Sequence, residues 1–225
     1  MLFTGCAVLD NNSAKYGFSE GYYYSKLNKS KPEKYYVVTG SDSIKVYPSS
    51  IAKQIADTVK SITLLFPPHE KPSQFSDYIF TTKSFDLDVL TILFKYRPAV
   101  AGFPNQLNAN FNGAVYAGYR KDIYKLSYTQ SPLHIQNRSI SHKGYSAGVF
   151  AGIGTARIDE YVTLNRINYE YDGFVLTSGG AIILGFNKLN FGFLGGIDYL
   201  TDKNRHVWVN QTKPWIGISI GLNLN

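Results

Sequence analysis

Charge is scarce in this chain. Charged residues fill 17% of its 225 positions, against about a quarter in an ordinary soluble domain. Cysteine is scarcer still: Cys6 stands alone, which excludes an intrachain disulfide. No run approaches the ~18 apolar residues that a membrane-crossing helix needs, and the mean hydropathy is slightly negative. That shortage excludes a spanning helix but not a membrane, because barrel strands are only ~10 residues long and apolar on one face. RNP-like, zinc-finger and helix-turn-helix patterns are also missing. The net charge of +7 therefore gives no reason to expect nucleic acid as a partner. The one lysine cluster, Lys26, Lys29, Lys31 and Lys34, reads as a solvated linker.

Aromatic residues are abundant, at 15%, and with Val, Ile and Thr they tilt the chain toward strands. Residues 1–34 read as a signal remnant followed by a tether, polar and without periodicity. Residues 35–72 read as a small α/β appendage. Tyr35–Thr39 and Ile44–Tyr47 form a hairpin across Gly40-Ser41-Asp42-Ser43, Pro48 stops the second strand, and Ile51, Ile55, Val59 and Ile62 share one helical face. The Pro67-Pro68-His69-Glu70-Lys71-Pro72-Ser73 stretch marks the boundary.

Residues 73–225 read as a strand ladder. Phe85–Arg97 alternates poorly where Val89, Leu90, Ile92, Leu93 and Phe94 crowd together, the mark of a buried strand or a bulge. Leu107–Arg120 puts Asn108, Asn110, Asn112, Ala114 and Tyr116 on one face and Phe111, Val115 and Tyr119 on the other. Tyr145–Gly154, Phe174–Phe186, Leu189–Leu200 and Pro214–Leu224 repeat the theme, with Asn187-Lys188 as a tight connection. In the last strand Ile216, Ile218, Ile220, Leu222 and Leu224 oppose Trp215, Gly217, Ser219, Gly221 and Asn223. Further strands are expected among Ile123–Thr129, Ile135–His142 and Tyr161–Tyr171, giving about eight in a closed antiparallel up-and-down β-barrel.

The second face of these strands is Gly, Ser and Asn rather than Lys and Glu, unlike the outside of a soluble sandwich. Inward glycine relieves crowding in a tightly curved barrel. Outward Ile, Leu, Val and Phe then face lipid, with Ile216, Ile218, Ile220 and Leu222 as the lipid-facing set. Tyr96, Tyr119, Tyr145, Phe186, Tyr199 and Trp215 near strand ends read as an interfacial girdle. The opposite arrangement, a soluble or surface-tethered barrel with its apolar face inward around a small ligand, stays open.

The strands Asn110-Phe111-Asn112-Gly113-Ala114-Val115-Tyr116 and Lys213–Asn225 resemble those of small outer-membrane β-barrels, in particular Bacteroidota-type ones. The closing amphipathic strand looks like the signal read by the barrel-insertion machinery, although it ends on Asn225 where the common form has Phe or Trp. Leu2-Phe3-Thr4-Gly5-Cys6 resembles the end of a bacterial lipoprotein signal, which makes Cys6 the expected lipid-attachment residue. The resemblance implies the outer membrane as location, its lipid as partner and other envelope proteins as further partners. It brings no activity with it.

Chemistry is thin. His69, His134, His142 and His206 show no ligand spacing, so no metal or cofactor is expected. Ser141 and His142 are strand neighbours on opposite faces, unsuited to a nucleophile and base. Asp86 and Asp88 share a face and read as exposed acids at a barrel mouth. Arg120–Gly144 and Asp202–Lys213 read as basic, aromatic loops. The expectation is a non-enzymatic structural or accessory barrel. The alternatives are the apolar-ligand barrel and, third, a membrane hydrolase using His142 or His134.

Overall fold

The computed structural model describes residues 17–27, 31–40, 43–49, 57, 60–65, 77–100, 102–130, 132, 136–187 and 189–222. Among the described residues eleven strands follow in chain order: β1 (Gly21–Ser25), β2 (Glu33–Thr39), β3 (Ser43–Pro48), β4 (Ile62–Leu65), β5 (Tyr78–Arg97), β6 (Gln106–Asn108), β7 (Asn112–Gln130), β8 (Gln136–Ile158), β9 (Tyr171–Phe186), β10 (Leu189–Leu200) and β11 (Pro214–Leu222). The fold is all-β and antiparallel, and the only helical turn among the described residues is a 3-10 turn at Lys203–His206. No helix among them is long and apolar enough to cross a membrane, which says nothing about strands.

Two compact units divide the chain. One draws on the described residues of Met1–Ser84 and Lys121–Lys143, the other on those of Phe85–Arg120 and Gly144–Leu224. In the first unit β2 pairs with β1 (Tyr23↔Tyr35) and with β3 (Val37↔Val46), and β3 pairs with β4 (Ile44↔Leu64). β1 also pairs with the start of β5, Ser25 facing Phe80. Alternate residues of these strands build one core from Tyr23, Tyr35, Val37, Ile44, Val46, Phe80, Tyr124 and Leu126.

In the second unit the pairing order β11-β10-β9-β8-β7-β5 returns on itself through β11–β5, so six strands form a ring. The β9–β10 hairpin is held in register from Leu189↔Phe186 to Leu200↔Val175. Its two-residue connection begins with Asn187 at φ 51°, a left-handed conformation that Asn tolerates better than most residues.

Several expectations change. Gly21–Ser25, read as tether, is a strand, and Ile62, placed on a helical face, opens β4. Residues 51–56 and 66–76, which carry most of that helix and the proline-rich boundary, lie outside the described residues, as does Cys6. The single strand Leu107–Arg120 is broken into β6 and β7, with the Asn112 side chain donating to the Asn110 carbonyl at 2.7 Å across the break. The stretch Arg120–Gly144, read as basic loop and also as holding strands at Ile123–Thr129 and Ile135–His142, is mostly strand, since β7 runs on to Gln130 and β8 starts at Gln136. Tyr161–Glu170 is turn and irregular chain rather than strand. The crowded stretch of β5 does hold a bulge: Phe94 faces Ile218 but Ile92 faces Ser219, leaving Leu93 as the extra residue.

Candidate functional site

Strand parity sorts the ring into two faces of opposite character. Ile216, Ile218 and Ile220 on β11 are 61%, 40% and 47% exposed. Val89 on β5, Val115 on β7, Val149 on β8, Ile182 on β9 and Phe193 on β10 are exposed with them. Leu222 ends β11. Tyr96, Tyr119, Tyr145, Phe186 and Tyr199 lie on the same exposed face. Trp215 does not. It is buried, because it shares parity with Gly217 and Ser219 and so turns inward.

The buried face carries the charge. Lys95 and Arg97 alternate with Phe94 and Tyr96 on β5, and both meet Asp198, which lies between Ile197 and Tyr199 on β10. Lys95 Nζ is 2.9 Å from Asp198 Oδ1 and 3.0 Å from Oδ2, and Arg97 Nη2 donates to Oδ2. All three residues are almost wholly buried. Lys95 Nζ sits 4.5 Å from the Trp215 ring centroid, and the Arg97 guanidinium 5.3 Å from that of Trp208. A single carboxylate thus serves two buried cations, and the indole faces add a further electrostatic partner to each. Nearby, Arg120 Nη1 lies 3.8 Å from Asp86 Oδ2, and Tyr116 Oη and Ser146 Oγ are 2.7 Å apart.

Apolar side chains fill the remaining space. Leu90, Ile92, Tyr116, Phe150, Leu194 and Trp215 pack in one cluster inside the ring. The inward glycines make that packing possible. A Cβ at Gly196 would lie 3.0 Å from both Phe150 Cζ and Trp215 Cζ2, and one at Gly217 would lie 2.9 Å from Trp215 Cζ3. Glycine here leaves room for a tryptophan as well as for curvature.

An apolar cavity of about 980 Å³ opens on the ring, lined by Phe94, Ile182, Phe193, Ile216, Ile218 and the paired Gly180 and Gly195 among others. It belongs mainly to the exposed face.

Among the described residues, those considered for chemistry each have other partners. Asp86, expected at an exposed mouth, is buried against Arg120. His142 lies in β8 within the first unit. Its Nε2 is 2.7 Å from Asp122 Oδ1 and its ring stacks on Tyr124 at 4.7 Å. His206 accepts from Arg205 Nε at 3.3 Å in the 3-10 turn. His69 and His134 lie outside the described residues. No group of three or more His, Cys, Asp or Glu among the described residues could hold a metal ion. In the Asp202–Lys213 segment, Trp208 is buried rather than displayed.

In the first unit, burial raises the Tyr23 phenol above its ordinary value, opposed by its hydrogen bonds to Ser19. Tyr36 is raised chiefly by donating to Glu20 at 2.6 Å.

The charged interior was missed by sequence reasoning, although one signal was available. Lys95, Arg97 and Asp198 each occupy the face opposite the aliphatic one, and opposite charges on inward faces of strands are candidates for a buried pair. No protein-family model matches the chain, and no curated protein or solved structure matches it either.

Proposed function

We propose that the ring is a small transmembrane β-barrel of a bacterial outer membrane, with a structural or accessory role and no catalysis of its own. One observation carries this reading: between the strand ends the exposed face of the ring is free of charge and, Thr91 and Ser178 apart, apolar among the described residues, while Lys95, Arg97, Arg120, Asp86 and Asp198 are turned inward. Water would favour the reverse arrangement. Hydrocarbon favours this one, since a Lys or Arg facing lipid at mid-depth costs about 2–4 kcal/mol.

The dimensions agree. From Leu189 to Tyr199 on β10 the rise is roughly 33 Å, and a tilt of about 40° reduces this to about 25 Å, the height of an outer-membrane apolar band. We take the ring to close as a barrel on the six strands that pair round it. The eight-strand size from which single-chain outer-membrane barrels start would need two more. A filled interior argues against bulk transport. Membrane lipid is the partner of the aliphatic face, and other envelope proteins are the partners of an accessory role. Lipidation at Cys6 would add a second anchor.

Outer-membrane fractionation, together with migration on a gel that shifts on heating, is the expected result. Recovery of a folded, soluble monomer without detergent would overturn the reading. That outcome would favour the second one, an apolar-ligand binder, for which the cavity lined by Phe193 and Ile218 is the supporting observation.

A further inference from the structure

The excess of positive charge belongs to the first unit. Met1–Ser84 with Lys121–Lys143 holds fourteen Lys and Arg against eight Asp and Glu, leaving it +6 of the chain's +7. Part of that charge gathers at a cavity of about 490 Å³, bordered by Lys26 and Lys121 and walled by Tyr24, Leu27, Tyr78 and Ile79. Thr81 also lines it, with its hydroxyl donating to the Tyr24 carbonyl at 3.2 Å. Lys83 lies two residues beyond Thr81 on β5 and is exposed.

Lys26, Lys83 and Lys121 are exposed, and none has a carboxylate partner among the described residues. The one acid at the cavity, Asp77, is engaged by Lys125 at 2.7 Å. The cavity therefore pairs a partly apolar, tyrosine-bearing wall with unneutralised cations. A free inorganic anion would use only the cations. A phosphate carrying an apolar tail would use both.

The sequence along the strands points the same way. The exposed residue next to Phe85 on β5 is Lys83, the one next to Tyr119 on β7 is Lys121, and the one next to Tyr145 on β8 is Lys143. In three strands an aromatic residue gives way to lysine at the next exposed position, the order found where hydrocarbon meets headgroups.

We propose that the cavity bordered by Lys26 and Lys121 binds the phosphate of an anionic membrane lipid, with the glycerol and first acyl carbons against Tyr24, Tyr78 and Ile79. The proposal rests on the membrane reading above and names a lipid class for it. Each lysine near an anionic lipid contributes about 1 kcal/mol, so removing two weakens apparent affinity roughly 30-fold.

The test uses the full chain, folded in non-ionic detergent. Short-chain phosphatidylglycerol, short-chain phosphatidylcholine, inorganic phosphate and a single-stranded oligonucleotide are each titrated while the unfolding midpoint is followed. Phosphatidylglycerol should raise the midpoint in a salt-sensitive way, with phosphatidylcholine and inorganic phosphate well behind. The K26Q/K121Q variant should need roughly 30-fold more phosphatidylglycerol. K45Q/K60Q, which removes two lysines away from the cavity, should behave as the parent does. Equal response to both lipids, an equal response to inorganic phosphate, a stronger response to the oligonucleotide, or an unchanged K26Q/K121Q would each overturn the proposal. A chain that folds without detergent fails the membrane reading instead, and shows it before any lipid is added.

Discussion

The Trp215 indole donates to the Asp198 carboxylate at 3.0 Å, inside the ring and beside the two cations that share the same acid. Trp215 supplies an N–H to Oδ1, a ring face to Lys95, and the bulk for which Gly196 and Gly217 leave space. Asp198 is the only carboxylate bonded to Lys95 and Arg97 among the described residues.

Asp198→Ala should therefore be among the most damaging single changes in the ring. It leaves two buried cations without their acid, a loss of about 3–5 kcal/mol. Urea unfolding in detergent should show it as a large fall in the midpoint. A loss below about 1 kcal/mol would mean that the cations are better solvated than their burial implies.

A charge on the aliphatic face separates lipid from water as its surroundings. Ile218→Arg should cost about 2–4 kcal/mol in a bilayer, whereas an exposed position in water would change stability by no more than about 0.5 kcal/mol. Folding titrations in vesicles read the difference directly, and a near-neutral Ile218→Arg in vesicles would remove Ile218 from the lipid-facing set.

Glycines on the two faces should respond differently to a methyl group. At Gly196 the added carbon meets the Ser178 carbonyl at 2.5 Å and two aromatic rings at 3.0 Å; at Gly180 its nearest neighbour is 3.7 Å away. Gly196→Ala should lose about 1–3 kcal/mol by overpacking, and Gly180→Ala should stay within about 0.5 kcal/mol. Unfolding midpoints of the two variants, compared side by side, decide the point.

Alkaline pH should weaken the first unit through Tyr23. Its phenol titrates higher in the folded chain than in the unfolded one, mainly because it is buried. The stabilisation is complete below the unfolded value of about 10 and is lost as pH rises through the raised folded value. Tyr23→Phe should be less stable than the parent near neutral pH by about 1 kcal/mol, and the gap should narrow as the pH climbs. A constant gap across that range would show that Tyr23 does not carry the effect.

Much of the second unit was legible because a strand's period of two is a local property. β10 and the start of β11 fall where alternation put them, and the crowded stretch of β5, read as a buried strand or a bulge, holds the bulge, at Leu93. Parity also outranked position: Trp215 looked like a girdle residue because it is near a strand end, but its alternation with Gly217 and Ser219 had already turned it inward. β1 was overlooked because three consecutive tyrosines, Tyr22 to Tyr24, show no alternation of polarity. The meeting of Lys95 and Arg97 with Asp198 was not legible. It depends on β11 pairing with both β5 and β10, a relation between strands about a hundred positions apart that no short window contains.

The pairing of β11 with β5 also sets an order of assembly. β9 and β10 are joined by two residues and can zip from Asn187 outward as soon as both are made, and β11 can then add to β10 over most of its length. The β5–β11 ladder runs only from Ile216 to Ser219, is interrupted by the bulge, and joins segments far apart in the chain. It is the seam of the ring: the last line to zip because its loop is the longest to close, and the first to part under load. Hydrogen exchange should find the amides of this seam opening ahead of those between β9 and β10.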